Sequence, residues 1–302
     1  MQNGARMLRQ LLASDGPIEA PGAWDPLTAR ALQDCGFKCL MVGGWITGAS
    51  QAITEPLLTM TEQVAVAGAV ARNVSIPVIA DGHTGYGDPI HVMRAVKEYE
   101  SAGIAAIHIE DQLFPKRAHY HANVKHVIPI DEMVEKIRYA IKARTNPDFV
   151  IIARTDVHDA VEGSSEEAIA RMQAYRDAGA DVLIPFPSPG DNPHDYNLKA
   201  ARAMSQAVPG IPLIWLAGET GSDQEPSLAE IHEAGYKIVM YPLSFLFAAI
   251  EGVTKLAESV RMRGKAIIPD SQRIQHKVQS LIGLNEMFKV EAATTERAKK
   301  AS

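Results

Sequence analysis

Four times in this chain a stretch with helical apolar spacing ends in Ala or Cys, then Gly, and a short apolar run follows. The pairs are Cys35-Gly36, Ala102-Gly103, Ala178-Gly179 and Ala234-Gly235. Glycine just past a helix takes the left-handed conformation that closes the last turn, so each pair reads as a helix-to-strand loop. Short runs at 18–20, 39–42, 77–80, 106–109, 149–153, 182–185, 212–216 and 238–241 are apolar and often β-branched, as parallel strands covered on both faces are. Helical spacing occupies 25–35, 61–72, 90–101, 130–144, 164–178, 198–206 and 227–233. Thr61-Glu62 and Asp131-Glu132 put acid in a first turn. Eight alternating units in 302 residues predict an α/β fold of the (β/α)8 barrel type over 1–250. Further helices, 245–263 and 272–297, broken near 264–269, predict a C-terminal helical tail over 251–302 that caps the barrel or packs on a partner subunit.

Composition narrows the function classes. A net charge of -6 argues against a nucleic-acid surface, which needs a basic face. No apolar run reaches the ~18 residues of a membrane span, and the first ten residues show no secretory signal. The two cysteines, Cys35 and Cys39, cannot staple a chain of this size, which fits a reducing cytoplasm.

In such barrels chemistry gathers at the C-terminal ends of the strands. Those ends carry Gly22-Ala23-Trp24-Asp25, Gly43-Gly44-Trp45, Asp81-Gly82-His83-Thr84-Gly85-Tyr86-Gly87, Glu110-Asp111, Arg154-Thr155-Asp156 and Pro185-Phe186-Pro187. Asp81, His83, Glu110 and Arg154 converge on one rim. The two carboxylates and the imidazole suit a divalent cation, bound directly or through water, and the arginine suits a carboxylate or phosphonate. Gly85-Tyr86-Gly87 is no dinucleotide fingerprint, because no Gly-x-Gly-x-x-Gly opens a helix. After 106–109 the chain runs from Asp111 through Lys116-Arg117-Ala118-His119-Tyr120-His121 to Lys125-His126 before the next helix. That is far longer than the usual ~2–6-residue connection, so it reads as a basic lid for an anionic ligand. His119 and His121, two apart, either touch substrate or ligate metal.

These residues resemble the isocitrate lyase/phosphoenolpyruvate mutase superfamily, nearest its short methylisocitrate and dimethylmalate lyase branch. The segments that carry the resemblance are Pro21-Gly22-Ala23-Trp24-Asp25, Ile79-Ala80-Asp81-Gly82-His83-Thr84-Gly85-Tyr86-Gly87, Ile107-His108-Ile109-Glu110-Asp111-Gln112-Leu113-Phe114-Pro115-Lys116-Arg117, Ala153-Arg154-Thr155-Asp156, Tyr241-Pro242-Leu243-Ser244 and Ser280-Leu281-Ile282-Gly283-Leu284-Asn285-Glu286. The resemblance implies a barrel whose terminal helix is exchanged between subunits of a homotetramer. It also implies Mg2+ and cleavage of a carbon–carbon bond beside the enolate of a small oxo acid, stabilised electrostatically. By motif, Asp81, Glu110 and Glu55 match the acids around the metal, and Arg154 matches the substrate-carboxylate arginine. Gly43 and Gly44 match the backbone that receives the oxo acid, with Trp45 beside them, and Lys116 matches the lysine that opens the lid.

The departures from the family pattern bear on chemistry. His83 stands where an acid is usual, which opens the site to Mn2+ or another divalent metal besides Mg2+. Ala118 stands where the lyases carry the cysteine acid, leaving His119 or His121 for acid/base work. Phe186, Leu216 and Phe247 replace Glu, Asn and Arg, which points to a substrate whose second half is less charged than a tricarboxylate. The sequence therefore predicts a metal-dependent lyase on a 2-hydroxy or 2-oxo acid. An oxaloacetate decarboxylase, a phosphonopyruvate hydrolase or mutase, and a non-catalytic oxo-acid-binding barrel are the rivals.

Overall fold

The computed structural model describes residues 4–122, 124–160, 163–185, 198–217 and 225–295. The chain divides into two compact units, Met1–Leu246 and Phe247–Ser302.

Among the described residues the first unit holds eight strands: β1 (Ile18–Pro21), β2 (Leu40–Val42), β3 (Val78–Asp81), β4 (Ala106–Glu110), β5 (Val150–Thr155), β6 (Val182–Pro185), β7 (Ile214–Leu216) and β8 (Ile238–Tyr241). All pair in parallel. β2 through β6 follow in order, and β1, β8 and β7 form the other arc. Two bridges join the arcs: Gly22 with Met41 between the β1 and β2 sides, and Leu183 with Leu213 between β6 and β7. The sheet is a closed ring, as the alternation of strands and helices predicts.

Residues two apart on a strand share a face, so each strand has one inward and one outward set. The inward set includes Ile18, Met41, Ile79, Ala106, Val150, Ile152, Ile184, Ile214, Ile238 and Met240, which form one buried cluster. Helix α1 (Gly4–Ala13) adds Ala5 and Leu8 to that cluster, and the ideal Cβ position of its Gly4 lies beside Pro77 and Ala105. The helix therefore closes the end of the barrel where the strands begin. α1 is not among the helices expected from the sequence, although Leu8, Leu11 and Leu12 have helical spacing. Outward residues such as Ala80, Ile107, Ile151, Leu183 and Val239 pack against the surrounding helices.

Those helices are α2 (Pro26–Asp34), α3 (Gly44–Ser50), α4 (Met60–Ala71), α5 (Pro89–Ser101), α6 (Ile130–Ala143), α7 (Ser165–Asp177), α8 (Leu198–Ala207) and α9 (Leu228–Glu233). Side chains fix their starts: Asp25, Asp88 and Ser164 accept from backbone N–H groups, and Thr59–Glu62 and Ser227–Glu230 are capping boxes. Glycine fixes four of their ends. Gly36, Gly103, Gly179 and Gly235 all have φ between +83° and +100°.

The second unit contains most of α10 (Ser244–Arg263), with α11 (Ser271–Leu281) and α12 (Leu284–Ala293). A single helix is expected over 272–297. Gly283, at φ +75°, breaks it in two. None of the described residues of this unit is buried, and Phe247, Ile250, Val253, Met287, Phe288 and Val290 are exposed.

Candidate active site

The inward positions turn polar at the C-terminal ends of three adjacent strands. Asp81 lies in register with His108, and Glu110 with Arg154. On each strand these residues continue the face of Ile79, Ala106 or Ile152, so the apolar interior is topped by charged groups. Asp81, His108 and Glu110 are buried, and the Arg154 side chain is 13% exposed.

The 81–87 segment folds back tightly. Asp81 accepts from Gly44 N (2.9 Å) through Oδ2 and from His83 N (2.8 Å) through Oδ1. His83 takes φ +50°, which is costly for a residue with a Cβ. Its carbonyl, accepting from Glu110 N (2.8 Å), and its N–H on Asp81 hold it there. The imidazole Nδ1 of His83 lies 3.4 Å from Glu55 Oε1. Gly44 is glycine for lack of room: a Cβ there would lie 2.5 Å from His83 Cε1 and 2.9 Å from Glu55 Cγ.

The long loop after β4 is a hairpin with tied feet. Gln112 bridges Val127 antiparallel, and Leu113 N donates to His126 O (2.8 Å). From one arm Lys116 enters the charged group. Its Nζ donates to Glu55 and lies 2.8 Å from Glu110 Oε1. Tyr120 donates to Glu55 Oε2.

The electrostatics follow from burial opposed by neighbours. Burial raises the Glu110 carboxyl to about 7 against the pull of Lys116 and Arg154. The same burial acts on Glu55, but Lys116 and His83 overcome it and hold that carboxyl well below the usual range. Burial also raises Asp81, and His108 and His83 bring it below its ordinary value. His83 is lowered by burial, then raised above an ordinary imidazole by Asp81 and Glu55.

The expected site residues fare differently. Asp81, His83, Glu110, Glu55, Lys116 and Arg154 come together. Gly43 and Gly44 lie beside them, but the Gly44 N–H expected to receive an oxo acid is donated to Asp81. His119 is exposed, and among the described residues no side-chain hydrogen bond or ion pair joins it to the charged group. His121 is also exposed: its Nδ1 accepts from Trp45 Nε1 (3.2 Å) and its Nε2 meets Thr54 Oγ1 (2.6 Å). The two lid histidines expected as acid/base groups lie on the exposed side of this arm, while Lys116 and Tyr120 take its inward side. Phe186 lies outside the described residues.

Among the described residues no three His, Cys, Asp or Glu side chains are gathered to hold a metal directly. Buried atoms without a hydrogen-bond partner nonetheless remain here, among them His83 Nε2, His108 Nδ1 and both oxygens of Glu110, which Lys116 and Arg154 meet as ion pairs. That donor set fits a largely hydrated hard cation, which needs only one or two protein carboxylates.

A second polar network, which the sequence reading left unassigned, lies directly behind the first. Asp111 and Asp156 are fully buried. Asp111 accepts from Thr155, Tyr175 and Arg171 side chains and from Asp156 N. Asp156 accepts from Arg154 and Gln112. The available signal was that Glu110-Asp111 and Arg154-Thr155-Asp156 each present polar groups to both faces of their strand ends.

A family model described as phosphoenolpyruvate phosphomutase matches residues 8–261. The chain belongs to this family. Among its relatives, the 2,3-dimethylmalate lyase of Eubacterium barkeri is 34% identical over 96% of this chain and 97% of its own. Among solved structures, the phosphoenolpyruvate phosphomutase of Streptomyces platensis subsp. rosaceus superposes with a TM-score of 0.86 at 33% identity, covering 97% of this chain and 99% of its own. A phosphonopyruvate hydrolase in complex with oxalate and Mg2+ superposes at 0.82 and 30% identity, with coverages of 97% and 99%. Lyases, mutases and hydrolases thus share this PEP mutase/isocitrate lyase barrel, and the superfamily expected from the motifs is the one found.

Proposed function

We propose that this chain is a divalent-cation-dependent carbon–carbon lyase. It cleaves a 2-hydroxy or 2-oxo acid through the enolate of a small oxo acid of the pyruvate or glyoxylate type. The observation that carries this reading is the buried convergence of Arg154 and Lys116 on Glu110, at the mouth of an otherwise apolar barrel. Cleavage to an enolate develops negative charge. Two fixed cations in a water-poor site stabilise it without reorganising. Arg154 holds the substrate carboxylate, and Lys116 arrives with the lid.

Asp81, Glu110, Glu55 and His83 would hold the cation, Mg2+ or Mn2+, largely through water. When bound it supplies Lewis-acid polarisation of the oxo group. Ala118 and the apolar Leu216 suit a substrate whose departing half carries less charge than a tricarboxylate. Ala118 and the outward His119 also favour a second reading, decarboxylation of an oxo diacid, in which CO2 departs without being protonated.

The tail supports a homo-oligomer. Apolar side chains such as Phe247, Ile250 and Phe288 are exposed in a unit with no buried described residue, and they call for a partner surface. We read the assembly as a tetramer with exchanged helices. No described helix is long and apolar enough to cross a membrane, and the cytoplasm remains the proposed location.

The test is calorimetric titration of oxalate, an enolate mimic, with and without Mg2+ or Mn2+. A panel of oxo and hydroxy acids is then assayed for pyruvate, glyoxylate or CO2 release. Metal-dependent oxalate binding, and a kcat/KM that collapses in Arg154→Ala, are expected. Oxalate binding indifferent to metal, or an Arg154→Ala enzyme with unchanged kcat/KM, overturns the proposal.

A further inference from the structure

Arg154 is held by Asp156. Its Nε and Nη2 both donate to Asp156 Oδ1, at 3.0 and 2.9 Å, which leaves Nη1 toward Glu110 at 3.6 Å. Asp156 is in turn held by both feet of the lid hairpin. Gln112, on the outgoing foot, donates through Nε2 to Asp156 Oδ2 at 2.6 Å. Lys125, on the returning foot, places Nζ 3.6 Å from Asp156 Oδ1, and its side chain is 5% exposed. The same two feet are bound to one another, Gln112 by its bridge to Val127 and Leu113 by its hydrogen bond to His126. From behind, Asp156 N donates to Asp111 Oδ1 (2.9 Å), and Asp111 is anchored to α7 by Arg171 and Tyr175.

We propose that Asp156 is a positioning residue that couples the lid to the substrate-carboxylate arginine: the closed hairpin holds Asp156, and Asp156 holds Arg154 in its receiving orientation. The hairpin thus has two actions on the site. One arm delivers Lys116 directly, while the feet set Arg154 indirectly. If the feet move, Asp156 loses an amide donor and a buried cation together. Its carboxylate is then no longer fixed on the hairpin side, and the guanidinium that it carries loses its fixed orientation toward the chamber. The cost of leaving either partner unpaired in a buried place makes the two positions interdependent.

This inference rests on the proposed role of Arg154, and the test separates the two. Full-length wild type, Lys125→Met, Lys125→Arg, Arg154→Lys and the double variant Lys125→Met/Arg154→Lys are titrated with oxalate in the presence of Mg2+. Lys125→Met is expected to weaken oxalate by about tenfold, Lys125→Arg to restore it to within about threefold, and Lys125→Met to add nothing in the Arg154→Lys background. A wild-type dissociation constant in Lys125→Met, or additive effects in the double variant, overturns the coupling. Should wild type itself ignore oxalate, the reading of Arg154 fails, and the coupling is judged on the lid alone. Asp156→Asn should then raise trypsin cleavage after the exposed Arg117 about fivefold, measured at a fixed interval below each protein's own thermal midpoint. An unchanged cleavage rate overturns it.

Discussion

The ammonium of Lys116 lies 2.8 Å from Glu110 Oε1 and also donates to Glu55, so one lid residue joins two buried carboxylates contributed by different parts of the barrel mouth. In the proposed lyase this lysine would both tie the loop down and bring positive charge to where the enolate forms.

Lys116→Met tests both roles. With the ammonium gone, burial acts on Glu110 with only Arg154 in opposition, and its carboxyl climbs above about 7. Breaking a buried pair costs ~3–5 kcal/mol when the orphaned charge persists, and protonation of Glu110 reduces that cost. We expect kcat/KM to fall by at least ~100-fold, as when an electrostatic stabiliser is removed elsewhere. Cleavage after Arg117 should accelerate alongside. Unchanged kinetics would remove Lys116 from the reaction.

Gly44→Ala tests the tight approach beneath the charged group. The new methyl would lie 2.5 Å from His83 Cε1. Either His83 leaves its left-handed conformation or Glu55 withdraws from Lys116. Overpacking of this kind costs ~1–3 kcal/mol. Urea midpoints should fall accordingly, and oxalate binding should weaken. A variant with wild-type affinity and stability would show that the segment yields freely.

Acid should expose the Asp156 network. Burial raises this carboxyl, but Arg154, Lys125, Lys116 and the Gln112 amide outweigh it and hold it well below its ordinary value; Asp111 and Glu110 are the acids nearby. Its folded-state pKa is therefore below the unfolded value of ~3.9. Such a group contributes stability above the unfolded pKa, and that contribution is lost as pH falls from about 4 toward the folded value. Urea unfolding between about pH 5 and pH 2 should show a shallower loss in Asp156→Asn than in wild type. Parallel slopes would contradict the assignment.

Leu8→Ala tests the opposite end of the barrel. Leu8 is fully buried in the interior cluster, and its truncation is expected to cost ~2–5 kcal/mol. Oxalate affinity should stay within about twofold, because the change lies beneath the layer of Ile79, Ala106 and Val150. Coupled losses of stability and affinity would show that the layers transmit strain.

Much of this architecture was legible because it is local. Val182–Pro185 and Ile238–Tyr241 are strands at the predicted bounds, and β-branched runs followed by glycine-capped helices mark the rest within a residue or two. What escaped was set by distant partners. α3 contains Gly44, Gly48 and Thr47, poor helix formers that tertiary packing holds in place. In the site, acids at strand ends were readable because a closed ring brings every strand end to one rim. The lid was not: whether His119, Tyr120 or His121 faces inward depends on how the hairpin feet seat on Gln112 and Val127, and spacing alone does not record that. The places of His108 and Asp156 were hidden for a related reason, since each is defined by its contact with a residue at a strand end, Asp81 or Arg154.

The plug formed by α1 separates the two demands made on this chain. The interior apolar cluster that α1 completes lies between Leu8 and the Ile79 layer, and the charged strand ends of the candidate site lie above it. Changes at the mouth leave the packing of the interior layer itself in place, even where, as at Gly44, they cost stability locally. The relatives named above, a lyase, a mutase and a hydrolase, carry different chemistry on that shared frame.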